Sequence, residues 1–162
     1  MKTKIKAKKK KVVLIQGAYD ITNWGHIKSF QRIKKLYKDC YLIVALNSNE
    51  LIKKYKKREP VLPWYQKKFI IEHCDFVDKV VVANDFSPIK LLKKHNVDVY
   101  VLTKEWKDTK AIEIAYMKSK GGEISFSPRF KGVVPTSKIK EILLKEAEDK
   151  AKEKRKSKKS KN

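Results

Sequence analysis

Residues 12–26 read VVLIQGAYDITNWGH. The apolar run at 12–15 is typical of a strand that is buried on both faces of a parallel sheet. Gly17 lets the chain leave this strand closely against a ligand, and Gly25 and His26 begin a helix. The first turn of a helix has free backbone N–H groups and the positive end of the dipole, so this loop predicts a phosphate-binding site.

Apolar runs and helical patterns alternate along the rest of the chain. Because each strand is followed by a helix, we expect an α/β protein with a Rossmann-like, parallel five-stranded sheet and helices on both faces. Ligands of such sheets bind outside the carboxyl ends of the strands. The predicted strands lie at residues 12–15, 41–46, 79–82, 98–102 and 123–126.

The composition excludes several classes of protein. Of 162 residues, 41% are hydrophobic, which is enough for a core and excludes wholesale disorder. The two cysteines are too few for a disulfide scaffold, and their spacing gives no zinc site, so we expect no metal held by the protein itself. The sequence contains no apolar run of membrane-spanning length and no signal peptide, so a cytoplasmic protein is expected.

The positive charge lies mainly at the two ends. The chain has 41 Lys and Arg residues against 18 Asp and Glu, a net charge of +23. We therefore expect a basic disordered arm at 1–11, one domain at 12–148 and a basic disordered tail at 149–162. The ends either attach the protein to nucleic acid or another anionic surface, or only keep it soluble.

The loop at 17–26 resembles the GxFDxxHxGH signature of the nucleotidyltransferase superfamily. Gly17, Tyr19, Asp20, Gly25 and His26 match, and Asn23 replaces the first histidine. Four later segments resemble further motifs of the superfamily, with Lys67 replacing an arginine and Thr103-Lys104 replacing Gly-Asp. These segments are 58–67, 76–80, 98–106 and 128–140. Within the superfamily the chain is most similar to glycerol-3-phosphate cytidylyltransferases, and next to the sugar-phosphate adenylyltransferases of heptose activation.

The resemblance implies that CTP is joined to a phosphorylated alcohol such as glycerol 3-phosphate, with release of pyrophosphate. It also implies Mg²⁺ carried by the triphosphate, a homodimer, and two sets of site residues. The catalytic residues implied are His26, Asn23, Lys56 and Arg129. The nucleotide-binding residues implied are Gly17, Ala18, Tyr19, Asp20, Gly25, Lys67, Glu105, Thr136 and Ser137.

Two alternatives remain at this point. The first is a sugar-phosphate adenylyltransferase, because specificity for the base depends on backbone contacts in loops. The second is a non-catalytic member of the family that acts as a binding or structural component through its basic ends. The sequence leaves open both the base and the acceptor.

Overall fold

The structure, a computed structural model, describes residues 9–159 and the side chains as far as Lys152. The chain divides into two compact units between Phe130 and Lys131. The first unit carries the sheet and its helices, and the second carries the last helix.

The first unit is built on a five-stranded sheet in which every neighbouring pair is parallel. The strand order is β3-β2-β1-β4-β5, so the chain first builds outward from β1 to one edge and then crosses to the other. This confirms the predicted α/β, Rossmann-like class. The strands are β1 Val12–Gly17, β2 Tyr41–Asn47, β3 Lys79–Ala83, β4 Val99–Thr103 and β5 Glu123–Ser127.

Helices connect the strands, and a 3₁₀ turn at Lys104–Trp106 follows β4 directly. Ser48 accepts a hydrogen bond from Leu51 N–H at the start of the second helix, as a serine N-cap does. The helices are α1 Trp24–Leu36, α2 Asn49–Lys56, α3 Trp64–Glu72, α4 Ile89–Lys94, α5 Ala111–Ser119 and α6 Thr136–Lys159.

The core lies in two layers because alternate strand residues point to opposite faces of the sheet. On one face, Val13 and Val44 pack in a cluster with Phe30 of α1 and Ile71 of α3. On the other face, Leu14, Ile43 and Tyr100 pack in a second cluster that includes Leu92 of α4 and Met117 of α5. The sheet therefore has helices on both faces, and the carboxyl ends of its strands lie between these two layers of helices.

The second unit consists largely of α6, which has 24 residues. A disordered tail was expected from residue 149, but the described residues 149–159 are helical. Ala, Glu and Lys favour helices, and Lys138–Glu141 and Lys152–Asp149 form ion pairs at three-residue spacing. Local propensity thus extends the helix although this stretch has no apolar stripe.

The expected basic arm falls mostly outside the described residues, as do the last three residues of the tail. Residues 9–11 have no regular secondary structure, but Lys11 is attached to the sheet. Its backbone oxygen accepts a hydrogen bond from Tyr41 N–H at 2.8 Å, and its ammonium pairs with Glu123 at 3.3 Å. Within residues 9–159, no helix is long and apolar enough to cross a membrane.

Candidate active site

Asn23 and His26 hold each other at the start of α1. The Asn23 side chain accepts a hydrogen bond from the Gly25 backbone N–H at 3.0 Å. The Asn23 backbone N–H donates a hydrogen bond to His26 Nδ1 at 3.1 Å. This reciprocal capping box satisfies backbone N–H groups that the helix leaves free. Because Nδ1 accepts, the neutral imidazole carries its proton on Nε2 and is a hydrogen-bond donor there.

The surroundings of His26 keep its ring neutral. Burial, together with a smaller effect from the positive charge of Lys56, lowers the pKa of His26 from 6.5 to about 4. Lys56 is the last residue of α2, the helix that follows β2. Its charge therefore acts on a histidine of the helix that follows β1. The predicted site residues His26 and Lys56 are thus coupled electrostatically.

Tyr19 explains why residue 17 is a glycine. A Cβ on Gly17 would lie 2.7 Å from the Tyr19 ring, which is closer than side-chain atoms approach. Tyr19 has a φ of 45°, and its buried ring meets the His26 ring edge-on, with 5.1 Å between their centres. Burial raises the pKa of Tyr19. The glycine thus makes room for a ring that supports His26, while the expected ligand approach at Gly17 and Ala18 stays a prediction.

Asp20 anchors the segment at 58–62. Its carboxylate is buried and accepts hydrogen bonds from Val61 N–H at 2.7 Å and Leu62 N–H at 3.2 Å. Arg58 forms an ion pair with the other carboxylate oxygen at 3.1 Å. Asp20 was predicted to bind nucleotide, and the structure gives it a positioning role between the β1–α1 loop and the 58–62 segment.

Lys67 lies in α3 and is completely buried. Its ammonium donates a hydrogen bond to the Asn49 side chain at 3.0 Å, in the first turn of α2. This contact joins α3 to the helix that ends in Lys56. Direct binding of nucleotide by Lys67 stays a prediction.

Glu105 and Arg129 come together from the ends of β4 and β5. They form an ion pair, and Thr103 donates its hydroxyl to the same carboxylate at 3.4 Å. The Arg129 side chain is 81% exposed, so its guanidinium is accessible to an anionic ligand. Both residues were predicted site residues, and the structure adds that they bind each other.

Thr136 and Ser137 begin α6 in the second unit, as expected of residues at a helix N-terminus. Pro135 accepts the backbone hydrogen bond of Ile139 at 3.1 Å and so contributes to the first turn. Their contact with phosphate stays a prediction.

A polar cluster that the sequence analysis missed lies on the opposite face of the sheet from α1. Gln16 donates to the Asn47 side chain at 2.9 Å and to the Asp85 carbonyl at 3.1 Å. Asn47 in turn donates to the Tyr55 hydroxyl at 3.3 Å. Among the described side chains, Gln16 Oε1 is one of two buried polar atoms without a hydrogen-bond partner. A polar residue at the end of an otherwise apolar strand was the available signal.

Aromatic rings continue this cluster. The Phe86 ring lies 5.8 Å from the Tyr55 ring and 5.6 Å from the Trp106 ring, centre to centre. The ammonium of Lys110 lies 3.7 Å over the Phe86 ring and pairs with the buried Glu113 at 3.3 Å. Burial lowers the pKa of Lys110. In a chain so rich in lysine, the sequence could not single out this residue.

Taken together, these groups suit an anionic, phosphorylated ligand. The His26 imidazole, in the first turn of the helix after β1, and the Arg129 guanidinium, in the loop after β5, both follow the carboxyl ends of parallel strands, where ligands of this fold bind. The Lys56 ammonium at the end of α2 adds a positive charge that acts on His26. Preorganised donors of this kind stabilise charge that develops on a phosphoryl group. In the described part of the chain, no group of three His, Cys, Asp or Glu side chains is placed to hold a metal ion.

Comparison with known proteins assigns the family. The model of the cytidylyltransferase-like family matches residues 14–152. The glycerol-3-phosphate cytidylyltransferase of Bacillus subtilis is 31% identical over 134 residues, which cover 82% of this chain and 97% of that protein. The bifunctional protein HldE of Campylobacter jejuni subsp. doylei is 35% identical over 142 residues, which cover 87% of this chain and 29% of that protein.

A solved structure supports the fold. The lipopolysaccharide core biosynthesis protein from Thermoplasma volcanium GSS1 superimposes with a TM-score of 0.61 at 19% identity, over 76% of this chain and 98% of that one. The sheet order, the loop that carries His26 and the match over residues 14–152 agree. The chain belongs to the cytidylyltransferase-like family of nucleotidyltransferases.

Proposed function

We propose that the protein is a cytidylyltransferase that joins CTP to a phosphorylated alcohol such as glycerol 3-phosphate and releases pyrophosphate. The observation that carries the proposal is the His26 imidazole, held at the start of α1 by the Asn23 backbone N–H so that its Nε2–H is the donor, and kept neutral by burial and by the charge of Lys56. A similar relative of matching length, named for this reaction, supports the choice of substrates.

The proposed reaction needs no covalent intermediate. An oxygen of the acceptor phosphate attacks the α-phosphorus of CTP, and the bond from that phosphorus to the pyrophosphate oxygen breaks. His26 Nε2–H donates to an α-phosphoryl oxygen as negative charge builds, and Lys56 and Arg129 balance the charge of the triphosphate and of the leaving pyrophosphate. Catalysis is therefore positioning and charge stabilisation.

Mg²⁺ is part of the proposal as an ion that accompanies the triphosphate. Magnesium keeps several water ligands and binds substrate phosphates more often than all-protein cages, so it requires few protein ligands. It would neutralise charge on the triphosphate.

The Asn23 side chain has a defined part in this mechanism. It cannot carry a positive charge, but it caps α1, while the backbone N–H of the same residue fixes the His26 tautomer. Asn23 thus acts as a positioning residue through His26.

A homodimer and a cytoplasmic location belong to the same proposal. Helix α3 exposes the large side chains Tyr65, Phe69 and Ile70, and the edge strand β3 exposes Val82. Edge strands and exposed apolar groups are common features of subunit interfaces. Sedimentation velocity would test the dimer. Soluble nucleotide and phosphate substrates are consistent with the cytoplasm.

A sugar-phosphate adenylyltransferase is the second candidate. The resemblance of the sequence to sugar-phosphate adenylyltransferases favours a sugar phosphate as the alternative acceptor, and the chain is also similar to the bifunctional protein HldE over most of its own length. ATP would replace CTP in that reaction.

Pyrophosphate release tests both candidates. CTP and ATP should each be offered with glycerol 3-phosphate and with a sugar 1-phosphate, and we expect the fastest release with CTP and glycerol 3-phosphate. His26→Ala should lower turnover by about 10²–10³, the usual effect of removing one preorganised donor. His73→Ala is the matched control, because His73, at the end of α3, contacts the Phe69 carbonyl and ring and is not among the predicted site residues. ATP-dependent release would favour the second candidate. If neither CTP nor ATP binds in calorimetry, the catalytic proposal is wrong and the non-catalytic alternative is favoured.

A further inference from the structure

The outer face of α1 carries an uninterrupted positive charge. No Asp or Glu occurs anywhere between residues 21 and 38. Three cationic side chains, Lys28, Arg32 and Lys35, follow one another at helical spacing, and Trp24 precedes them by one turn. We refer to these four residues as the α1 stripe.

The α1 stripe points away from the core. Phe30 and Ile33 are the buried residues of the helix, and they lie on its other side in the packing against the sheet. Arg32 and Lys35 are exposed and Lys28 is half-buried. With a rise of 1.5 Å per residue, the three cations extend over about 10 Å along the helix.

These cations line a shallow cavity of about 350 Å³. The cavity is a recess on the surface of the first unit, and aromatic rings stand beside its charges. Trp24 is 53% exposed. The Lys28 Nζ lies 5.5 Å from the centre of the Trp24 ring, and the centre of the Phe130 ring lies 6.3 Å from the same point. The lining residues are Lys28, Gln31, Arg32, Lys35, Leu36 and Phe130.

The charges of the α1 stripe are not neutralised by the protein. Lys34 in the same helix forms an ion pair with Asp78. Within the described residues, Lys28, Arg32 and Lys35 have no carboxylate at ion-pair distance. The Lys28 ammonium contacts only neutral partners, the Trp24 ring and the Gln31 side chain. Such a row of uncompensated cations attracts a polyanion.

We propose that the α1 stripe binds single-stranded nucleic acid. Grooves for single strands combine cations that follow the phosphate backbone with aromatic rings on which unpaired bases stack. Lys28, Arg32 and Lys35 supply the cations, and Trp24 with Phe130 supplies the rings. The net charge of +23 adds a long-range attraction that favours association with any nucleic acid.

Two other polyanions fit the α1 stripe less well. An anionic membrane binds helices whose apolar face is free to enter the lipid, but the apolar face of α1 is packed in the core. Duplex nucleic acid offers phosphates but keeps its bases stacked, so it leaves Trp24 without a partner. The proposal is also independent of the transferase reaction, because His26 lies on the core-facing side of α1 and the stripe on the other.

The test uses the full chain and a labelled oligouridine of about 20 nucleotides, with binding followed by fluorescence anisotropy over about 50–200 mM salt. The variant Lys28→Gln/Arg32→Gln/Lys35→Gln removes the three cations. The control Lys93→Gln/Lys94→Gln/Lys118→Gln removes the same charge from exposed residues of α4 and α5, on the other face of the sheet.

Each phosphate contact to a single strand contributes about 0.7 to the slope of log K against log salt. We therefore expect the slope of the stripe variant to be about 2 less steep than that of the wild type, and the control slope to be unchanged. Thermal unfolding and turnover of both variants should match the wild type. Equal slopes for the two variants would overturn the proposal, and would place binding on the basic ends or on net charge.

Trp24→Ala separates stacking from charge. Stacking of one base predicts about 5- to 150-fold weaker binding of the oligouridine, and unchanged binding of heparin, which has no bases. The proposal would be overturned if Trp24→Ala weakened binding of the oligouridine and of heparin equally. It would also be overturned if the wild type bound duplex RNA as tightly as the oligouridine. Tighter binding to phosphatidylserine vesicles than to the oligouridine, abolished in the stripe variant, would overturn it as well.

Discussion

The backbone N–H of Asn23 donates to Nδ1 of His26 over 3.1 Å, and this bond determines which imidazole nitrogen carries the proton. A protonated Nδ1 could not accept the bond, so the contact and the buried position both favour the neutral ring. The chemistry proposed here depends on Nε2–H being present across the physiological pH range.

The first prediction concerns the pKa of His26. Protein NMR should show the His26 ring titrating near pH 4, below the usual value of about 6.5. Lys56→Gln should raise this pKa, because the lysine charge disfavours a second positive charge nearby. Burial acts more strongly, so the pKa should stay below 6.5. A variant pKa equal to or lower than that of the wild type would contradict the coupling.

The same group makes stability depend on pH in a defined window. As pH falls below about 6.5, the unfolded chain binds a proton at this histidine, while the native ring does not until about pH 4. The contribution of neutral His26 is thus complete above pH 6.5 and is lost between 6.5 and 4. Urea unfolding of wild type and His26→Gln should differ in slope against pH in this window only, by up to about 3 kcal/mol in total.

Asp20 gives the second prediction. Asp20→Ala removes the acceptor of two backbone N–H groups and the partner of Arg58, so we expect a loss of about 2–4 kcal/mol in the free energy of unfolding. Arg58→Met leaves the two backbone bonds intact but removes the cation beside a buried carboxylate, so it should destabilise the protein less than Asp20→Ala does. Hydrogen exchange at Val61 and Leu62 should accelerate in the first variant and change little in the second.

Gly17 gives the third prediction. Gly17→Ala places a methyl group 2.7 Å from the Tyr19 ring, so the ring must move away from His26. We expect lower thermal stability and lower turnover together. In Gly17→Ala/Tyr19→Leu the smaller side chain should recover much of the stability, giving a non-additive double-mutant cycle. Additive losses would show that the two residues act separately. Tyr19 already has a φ of 45°, so little further backbone adjustment is available to it.

The sequence predicts the parallel sheet well because apolar runs and helix starts are local signals. Val12–Gly17 and the start of α1 fall where the pattern places them. The sequence predicts poorly which side chains contact each other in the folded protein. The hydrogen bonds of Asp20 join residues about 40 positions apart, and Lys110 resembles every other lysine until the fold buries it against Glu113. The helix from 149 onward was missed because high charge was interpreted as disorder, although alanine, lysine and glutamate also favour helices.

Glu105 gives the fourth prediction. In the proposed mechanism, its ion pair with Arg129 would compete with the triphosphate for the same guanidinium. Glu105→Gln should therefore lower KM for the triphosphate, by no more than about fivefold because exposed ion pairs contribute at most about 1 kcal/mol. Arg129→Gln should raise this KM. A higher KM in Glu105→Gln would instead show that the carboxylate itself contacts the nucleotide, as the family resemblance implies. Glu141→Gln is the matched control, because it breaks a different exposed ion pair, the one between Glu141 and Lys138 in α6.

The last prediction concerns the two positions that most distinguish the chain from the family signatures. Asn23→His supplies a protonatable donor at the loop, and Lys104→Asp supplies the missing carboxylate beside Glu105. We expect the double variant to raise turnover with CTP and glycerol 3-phosphate about tenfold or more, which requires only about 1.4 kcal/mol of transition-state stabilisation.

The structure shows that the double variant should also be less stable, which the sequence did not reveal. Asn23 accepts the Gly25 N–H at the N-cap, a position where histidine is a poorer acceptor, so the double variant should lose about 0.5–2 kcal/mol of stability while it gains rate. Lys107→Asp makes the same charge change as Lys104→Asp just after the 3₁₀ turn and should leave turnover unchanged. Because Asn23→His also alters the cap that orients His26, the single changes need not add. Steady-state kinetics and thermal unfolding of the double variant, both single variants and the control separate these effects. If turnover falls in Asn23→His while its fold is retained, the native asparagine is the better partner for His26, and the departure from the family signature is an adaptation of this chain.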